Sequence, residues 1–201
     1  EEILNLIIDN KLNKNITYKA HFRDNNNLVD EELLKLAKDA GFKQILYGVE
    51  SGNQNMLDTM KKGLTIDEVK RAFKLTHDAG LDSLAFFMIG LPGENEKTIM
   101  DTVNLQKQLN SSSGFSLATP FPNTEFEKML KDKGHLLNDN YDEYRYGGCY
   151  IRTDELNNEE LEFYYALVTL SRENDLISKL PIFKMAKNRL LCKIYHLYRH
   201  M

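Results

Sequence analysis

The chain has 201 residues, 42% hydrophobic and 28% charged, with a formal net charge of -4. Those values fit an ordinary globular composition, enough for one substantial core or for part of a larger domain, and the mildly acidic balance gives no global signal for nucleic acid. No run of about 18 uncharged apolar residues is present, so no membrane span is expected. The opening Glu1-Glu2-Ile3-Leu4 lacks the basic and apolar regions of a signal peptide, and without an initiator Met the sequence reads as a piece of a longer chain. The two cysteines, Cys149 and Cys192, are far apart and show no CxxC or Cys/His metal spacing. They read as reduced thiols of a cytoplasmic protein.

Ile3, Leu4, Ile7, Ile8 and Leu12 recur at helical spacing, so a helix opens the chain. Ile16 to Phe22 reads as a short strand ending at Arg23. Asp30 caps a helix with Leu33, Leu34, Leu36, Ala37 and Ala40 inward, closed by Gly41 in a left-handed conformation. Gln44 to Glu50 is the next strand. Ser51-Gly52-Asn53-Gln54 has the form of a capping box with Ser51 as the cap, opening a short helix through Met56, Leu57 and Met60. Thr65-Ile66-Asp67-Glu68 is a second capping box. Its helix turns Val69, Ala72, Phe73, Leu75 and Thr76 inward and stops at Gly80. Ser83 to Ile89 shows little alternation, as expected of a strand buried on both faces. A helix from about Lys97 to Leu109 carries Ile99, Val103 and Leu105 inward. Gly114 to Thr119 is the fourth strand, and a short helix from Thr124 to Lys133 ends at Gly134.

Strand starts fall roughly 30–40 residues apart with a helix between each pair, the pattern of βα units in a parallel sheet. Residues 1–134 form this part. From 135 to 201 the composition shifts to an irregular, tyrosine-rich segment and then helices. Asn157 caps one helix carrying Leu161, Tyr164, Tyr165, Val168 and Leu170, and a last helix follows Pro181. The stretch from Pro181 to Met201 has lysines and arginines but no Asp or Glu. A solvated basic helix and a surface for an acidic partner or anionic membrane are both open to it.

The candidate chemistry sits at strand ends, where α/β folds keep their sites. Tyr47-Gly48-Val49-Glu50-Ser51-Gly52 delivers one carboxylate to the end of an apolar strand. Gly90-Leu91-Pro92-Gly93-Glu94 ends the next, and Ala118-Thr119-Pro120-Phe121-Pro122 the last. Three such tips point to a shared mouth. Glu50 can accept hydrogen bonds from hydroxyl or ammonium groups, act as a general base, or satisfy helix N–H groups. Ser51 reads as a helix cap rather than a nucleophile, since no Gly-x-Ser-x-Gly elbow surrounds it. The glycines at 90 and 93 permit positive φ and close approach of a ligand to the main chain, and Glu94 favours a helix N-terminus. Arg23 can pair with a ligand carboxylate or form a surface salt bridge. His77 reads as a structural or exposed histidine. His21 has both a pocket and solvent open to it, and the tyrosines of 141–150 form either a lid or a packing patch.

In order along the chain, Phe22-Arg23, Ala40-Gly41-Phe42, Gly48-Val49-Glu50-Ser51-Gly52, Lys62-Gly63, His77-Asp78-Ala79-Gly80, Met88 to Glu94 and Ala118 to Thr124 together resemble radical S-adenosylmethionine (SAM) enzymes. The resemblance is strongest to those associated with a cobalamin-binding domain. It implies an α/β fold, a partial (β/α)6 TIM-like barrel here lacking its first strands, plus C-terminal helices. It also implies SAM and a 4Fe-4S cluster as cofactors, with cobalamin held in an upstream domain. By the resemblance, Glu50 contacts SAM through its ribose or amino group, with Ser51 and Gly52 in the turn beside it. Met88, Ile89, Gly90, Pro92 and Gly93 lie against the adenine, and Arg23 and Thr119 line the same mouth. The implied reaction is reductive cleavage of SAM to a 5′-deoxyadenosyl radical for hydrogen abstraction, serving methyl transfer or rearrangement. The electron would come from a reductant such as flavodoxin or ferredoxin.

One departure stands out. The CxxxCxxC cluster motif of the family is absent from the sequence, and two scattered cysteines cannot replace three clustered thiolates. The chain therefore reads as the SAM-facing part of a longer enzyme, inactive alone, with cluster ligands expected upstream. The alternatives are a non-catalytic barrel-like binding or scaffold module that has lost the cluster, and a cluster-free lyase or hydrolase using Glu50 as base.

Overall fold

A computed structural model describes residues 1–23, 29–145 and 147–173. The helix expected after Pro181, its basic surface, Tyr146 and Cys192 lie outside the described residues. A sheet in the order β1-β2-β3-β4 is built from β1 (Tyr18–Phe22), β2 (Phe42–Glu50), β3 (Asp82–Ile89) and β4 (Ser112–Leu117). β1 pairs β2 and β2 pairs β3 in parallel. The crossovers are helical: α2 (Glu31–Asp39) after β1, α3 (Gln54–Thr59) and α4 (Ile66–Asp78) after β2, and α5 (Glu96–Gln108) after β3. Parallel neighbours require such crossovers, because a tight turn cannot return the chain to the same end of the sheet. The chain divides into two compact units, Glu1–Phe87 with Asp101–Gly114, and Met88–Met100 with the described residues from Phe115 onward.

In the first unit the core lies between helices and one face of the sheet. Ile45, Tyr47 and Val49 of β2 are fully buried, as are Leu34 and Ala37 of α2 and Val69 and Phe73 of α4. The Tyr47 ring packs against Phe73 at 4.9 Å, and its hydroxyl meets Thr76 Oγ1 at 2.8 Å, so burial leaves no orphaned phenol. Asp30 accepts from Leu33 N as expected, and Gly41 adopts φ +90 at the end of α2. Thr65 and Glu68 make both bonds of a capping box. In α1 (Glu2–Asp9) only Leu4 and Ile7 are buried; Ile3, and Leu12 beyond the helix, are exposed rather than inward.

β3 corrects the sequence reading. Its burial alternates strictly, with Ser83, Ala85, Phe87 and Ile89 buried and Leu84, Phe86 and Met88 more open. The apolar run is therefore not a strand buried on both faces. Phe86 stays 36% exposed and lies over Gly114, where a Cβ would come 3.1 Å from its ring; His21, itself exposed, stacks on it at 5.6 Å.

In the second unit Thr124 caps α6 (Glu125–Asp132), and Asn157 and Glu160 cap each other's backbone at the start of α7 (Asn158–Glu173). Leu161, Tyr164 and Val168 are buried, but Leu170, expected inward, is exposed. The tyrosines pack on one another: Tyr144 and Tyr150 stack at 3.9 Å, and Tyr141 tilts against Tyr144 at 5.1 Å. Tyr141 also donates to Glu127, which accepts from Lys131 and from Asn123 N. Those bonds, the lysine's first, hold the Glu127 carboxyl down at about 2.

Candidate functional site

The tip of β2 is shaped by a bulge. Gly48 sits opposite Phe86 and Glu50 opposite Phe87, so Val49 is an extra residue on β2. At the bulge Glu50 takes φ +67, and Ser51 N donates to Val49 O at 2.9 Å, closing a three-residue turn. A left-handed non-glycine residue costs roughly 1–3 kcal/mol and persists only where its surroundings enforce it. The consequence here is directional. The Glu50 side chain folds back over Gly48, where a Cβ would stand 2.8 Å from Oε1.

A second charge arrives from α3. That helix ends in a paired turn in which Lys61 N donates to Asp58 O at 2.9 Å and Lys62 N to Leu57 O at 3.0 Å. Lys61 occupies the left-handed position, φ +54, that glycine usually takes. The turn returns Lys62 to the strand tip, with Nζ 3.0 Å from Glu50 Oε1 and the two side chains 29% and 18% exposed. Sequence reasoning assigned Lys62 no role. The clue it offered was a lysine directly after a short helix that starts at the carboxylate's own strand end.

Ser51 and Gly52 hold the tip in place. Ser51 is fully buried and does not cap α3: Asn53 does, accepting from Met56 N. The Ser51 hydroxyl accepts from Asn53 N at 3.2 Å and pairs with Thr102 Oγ1 at 3.3 Å. Gly52 N donates to Thr102 Oγ1 at 2.9 Å, and Asn53 Nδ2 to Asp101 Oδ2 at 2.7 Å. A Cβ on Gly52 would lie 2.4 Å from Asp101 O, so the residue is glycine because α5 passes against its backbone. Arg23 follows β1 directly and is exposed.

The turn after β3 belongs to the second unit. Gly90 and Gly93 take φ +94 and +81. Met88 is half-buried, Ile89 and Gly90 are buried, Pro92 is half-buried and Gly93 exposed. Within this unit the turn meets the end of β4: Ala118 N donates to Ile89 O at 2.7 Å, and a Cβ on Gly90 would lie 3.7 Å from that of Ala118. Thr119 Oγ1 donates to Leu117 O at 3.2 Å. Glu94 does not sit at a helix N-terminus role; Asn95 and Thr98 bond each other there instead. Glu94 is buried and its Oε2 accepts from Gly90 N and Leu91 N, while Oε1 has no partner among the described residues. Burial pushes its carboxyl up to about 7 against the lowering effect of those two backbone bonds.

Elsewhere, a groove of about 670 Å³ opens at the amino ends of β2 and β3, lined by Gln44, His77, Asp82 and Ser83 among others. His77 Nε2 bonds Ser83 Oγ there at 2.8 Å, which satisfies the histidine structurally. No group of three metal-ligating side chains occurs among the described residues, and buried Cys149 donates to Ile151 O at 3.4 Å. The chemistry of these donors does not fit an iron–sulfur cluster, which needs clustered thiolates. What the β2 tip does offer, within the first unit, is a carboxylate–ammonium pair above a bare glycine, donors suited to a polar organic ligand. No helix among the described residues is long and apolar enough to cross a membrane.

Residues 1–105 match the Radical SAM superfamily. The chain is 30% identical over 135 residues to the anaerobic magnesium-protoporphyrin IX monomethyl ester cyclase of Rubrivivax gelatinosus, covering 67% of this chain and 24% of that one. In fold it is similar to the radical S-adenosylmethionine methyltransferase TsrM of Kitasatospora setae, solved with cobalamin and a [4Fe-4S] cluster. That match has a TM-score of 0.58 at 21% identity, covering 66% of this chain and 27% of that one. It is also similar to coproporphyrinogen III oxidase of Escherichia coli, described as a radical SAM enzyme, with a TM-score of 0.60 at 13% identity over 85% of this chain and 36% of that one. The chain thus spans about a quarter to a third of the length of these proteins.

Proposed function

The chain belongs to the radical SAM superfamily, and on that premise we propose that it is the SAM-holding part of an enzyme that uses SAM for radical chemistry. The observation that carries this is the β2 tip, where a bulge, a left-handed Glu50 and a side-chain-free Gly48 hold one carboxylate over a bare strand end. Glu50 accepts hydrogen bonds from a hydroxyl or ammonium group of the ligand. Ser51 and Gly52 act at one remove, by fixing the tip to α5. Met88, Ile89, Gly90, Pro92 and Gly93 face the adenine mainly through the turn's backbone, since Ile89 itself is buried. Arg23 and Thr119 remain candidate contacts at the tips of their strands. When bound and given an electron, SAM supplies a 5′-deoxyadenosyl radical for hydrogen abstraction.

The cluster thiolates are assigned to a part of the protein outside these 201 residues, because none of the described residues fits that role. A cobalamin domain, methyl transfer or rearrangement as the reaction, and flavodoxin or ferredoxin as electron donor complete the reading. The fold likeness to a methyltransferase solved with cobalamin is what motivates the cobalamin domain and methyl transfer. The test uses full-length protein, reconstituted anaerobically with iron and sulfide and titrated with SAM by calorimetry. Glu50→Ala is expected to weaken SAM binding with the cluster absorbance intact. Unchanged SAM affinity rejects the role of Glu50, and failure to take up a cluster favours a non-catalytic module.

A further inference from the structure

We propose that His21 and Phe86 form a platform on which the substrate lies, and that this substrate carries a flat, unsaturated ring. This rests on the reading of the chain as the SAM-holding part of a radical enzyme and adds a substrate class to it.

Side chains alternate between the two faces of a sheet. Tyr47 and Val49 of β2 and Ala85 and Phe87 of β3 are buried on the helix side. Gly48 and Phe86, paired across the ladder, therefore face the barrel axis. Such an interior is ordinarily filled by layers of bulky branched side chains. Around Phe86 it is hollow. Its neighbours on β2 and β4 are Gly48 and Gly114, and a Cβ at 114 would come 3.1 Å from Cδ1 of the ring. Phe86 is 36% exposed in consequence.

The ring does not stand alone. β2 lies between β1 and β3, which puts those two strands about 9–10 Å apart. His21 of β1 nevertheless stacks on Phe86, with centroids 5.6 Å apart and planes 11° from parallel. Both rings thus lean together over β2, and the imidazole is exposed as well. A planar unsaturated ring extends this stack in the offset geometry that aromatic pairs prefer, whereas a puckered saturated ring meets it only at a few hydrogens. The imidazole edge adds a hydrogen-bonding nitrogen for a ring substituent. Position identifies the occupant. Gly48, opposite Phe86, is the glycine over which Glu50 folds, with Oε1 2.8 Å from its missing Cβ. A ring on the platform therefore lies beside the carboxylate read as the SAM contact, where a group attacked by a SAM-derived radical must be held. The adenine, on the same reading, lies on the turn after β3, which leaves these rings to the substrate.

The test uses full-length, cluster-reconstituted protein and two probes of equal charge: flat 2-naphthoate and its saturated counterpart, decahydro-2-naphthoate. Dissociation constants come from ligand-observed NMR. The flat probe is expected to bind about tenfold more tightly. Phe86→Leu keeps an apolar side chain but removes the ring, and should abolish most of that preference. Phe86→Tyr keeps the ring and should retain it. Gly114→Ala serves as a second variant, since it leaves Phe86 in place chemically but pushes its ring aside. Circular dichroism checks the fold of each, and SAM affinity by calorimetry should stay within about threefold. Equal affinity for the two probes, no binding of either, or an undiminished preference in Phe86→Leu overturns the platform. A parallel loss of SAM in Phe86→Leu means that the ring holds the adenine, which also overturns it. Glu50→Ala separates the two readings. If it leaves SAM affinity unchanged, the reading of the tip fails whatever the probes do. If it weakens SAM while the probes bind alike, only the platform fails.

Discussion

The Glu50 carboxylate occupies the space where a side chain on Gly48 would begin, with Oε1 2.8 Å from the missing Cβ. Gly48→Ala must therefore push the carboxylate and Lys62 aside. Both are ends of flexible side chains, so folding stability should change by no more than about 0.5–1 kcal/mol. SAM affinity in the full-length protein should fall by about tenfold. Urea unfolding and calorimetry on the same variant check the two halves. Loss of stability without loss of affinity would show that Gly48 serves packing alone.

Gly52→Ala should behave in the opposite way. Its Cβ would meet backbone, 2.4 Å from Asp101 O and 2.5 Å from Thr102 Cα, and backbone cannot swing aside. Overpacking typically costs about 1–3 kcal/mol, and a clash with backbone puts this site toward the upper end. A lowered urea midpoint with an unchanged slope is the expected result.

Glu94 sets a pH dependence. Its carboxyl titrates at about 7 in the folded chain because burial disfavours the charge, against 4.5 when exposed. Between those values the folded state holds a proton that the unfolded state has released, so stability falls as pH rises. The contribution is fully present below about pH 4.5 and gone above about pH 7, on the order of 3 kcal/mol in total. Glu94→Gln keeps an acceptor for Gly90 N and Leu91 N and cannot ionise. Its unfolding free energy should lose the downward slope across this window, measured by urea titration at several pH values.

Glu127 sets the reverse dependence at low pH. Its carboxyl is held down at about 2 by hydrogen bonds from Lys131 first, then Tyr141 and Asn123 N. The stability it confers is present above its unfolded value and is lost as pH falls through about 2. Tyr141→Phe removes one of those donors, so acid unfolding should begin at a higher pH than in the parent. An unmoved acid transition would show that Tyr141 contributes packing alone, through its contact with Tyr144 at 5.1 Å.

Local chemistry was readable wherever one residue type decides one bond. Thr65 and Glu68, Asp30, and Asn157 cap their helices as their spacing implies, because a cap is satisfied within three residues. The same logic misjudged Ser51-Gly52-Asn53-Gln54. Two residues there can each cap, and the choice fell to Asn53 because Thr102, about 50 positions away, engages the serine. β3 misled for a related reason. Leu84, Phe86 and Met88 are as apolar as their buried neighbours, so hydrophobicity could not show that one face of the strand is open.

The sequence by itself determined the family resemblance, the βα order of the elements, Glu50 as the carboxylate at a strand tip, and the lack of a cluster motif in this chain. These are properties of residue identity and spacing. Only the tertiary structure decided that Glu50 turns back over Gly48, that Lys62 stands beside it, and that Gly52 is glycine because α5 passes there. It alone decided that Glu94 is buried with one oxygen that has no partner among the described residues. Each of these depends on a bulge, a left-handed residue or a contact between elements distant in the chain. Such features arise from steric fit in three dimensions and leave no periodicity in the sequence to read.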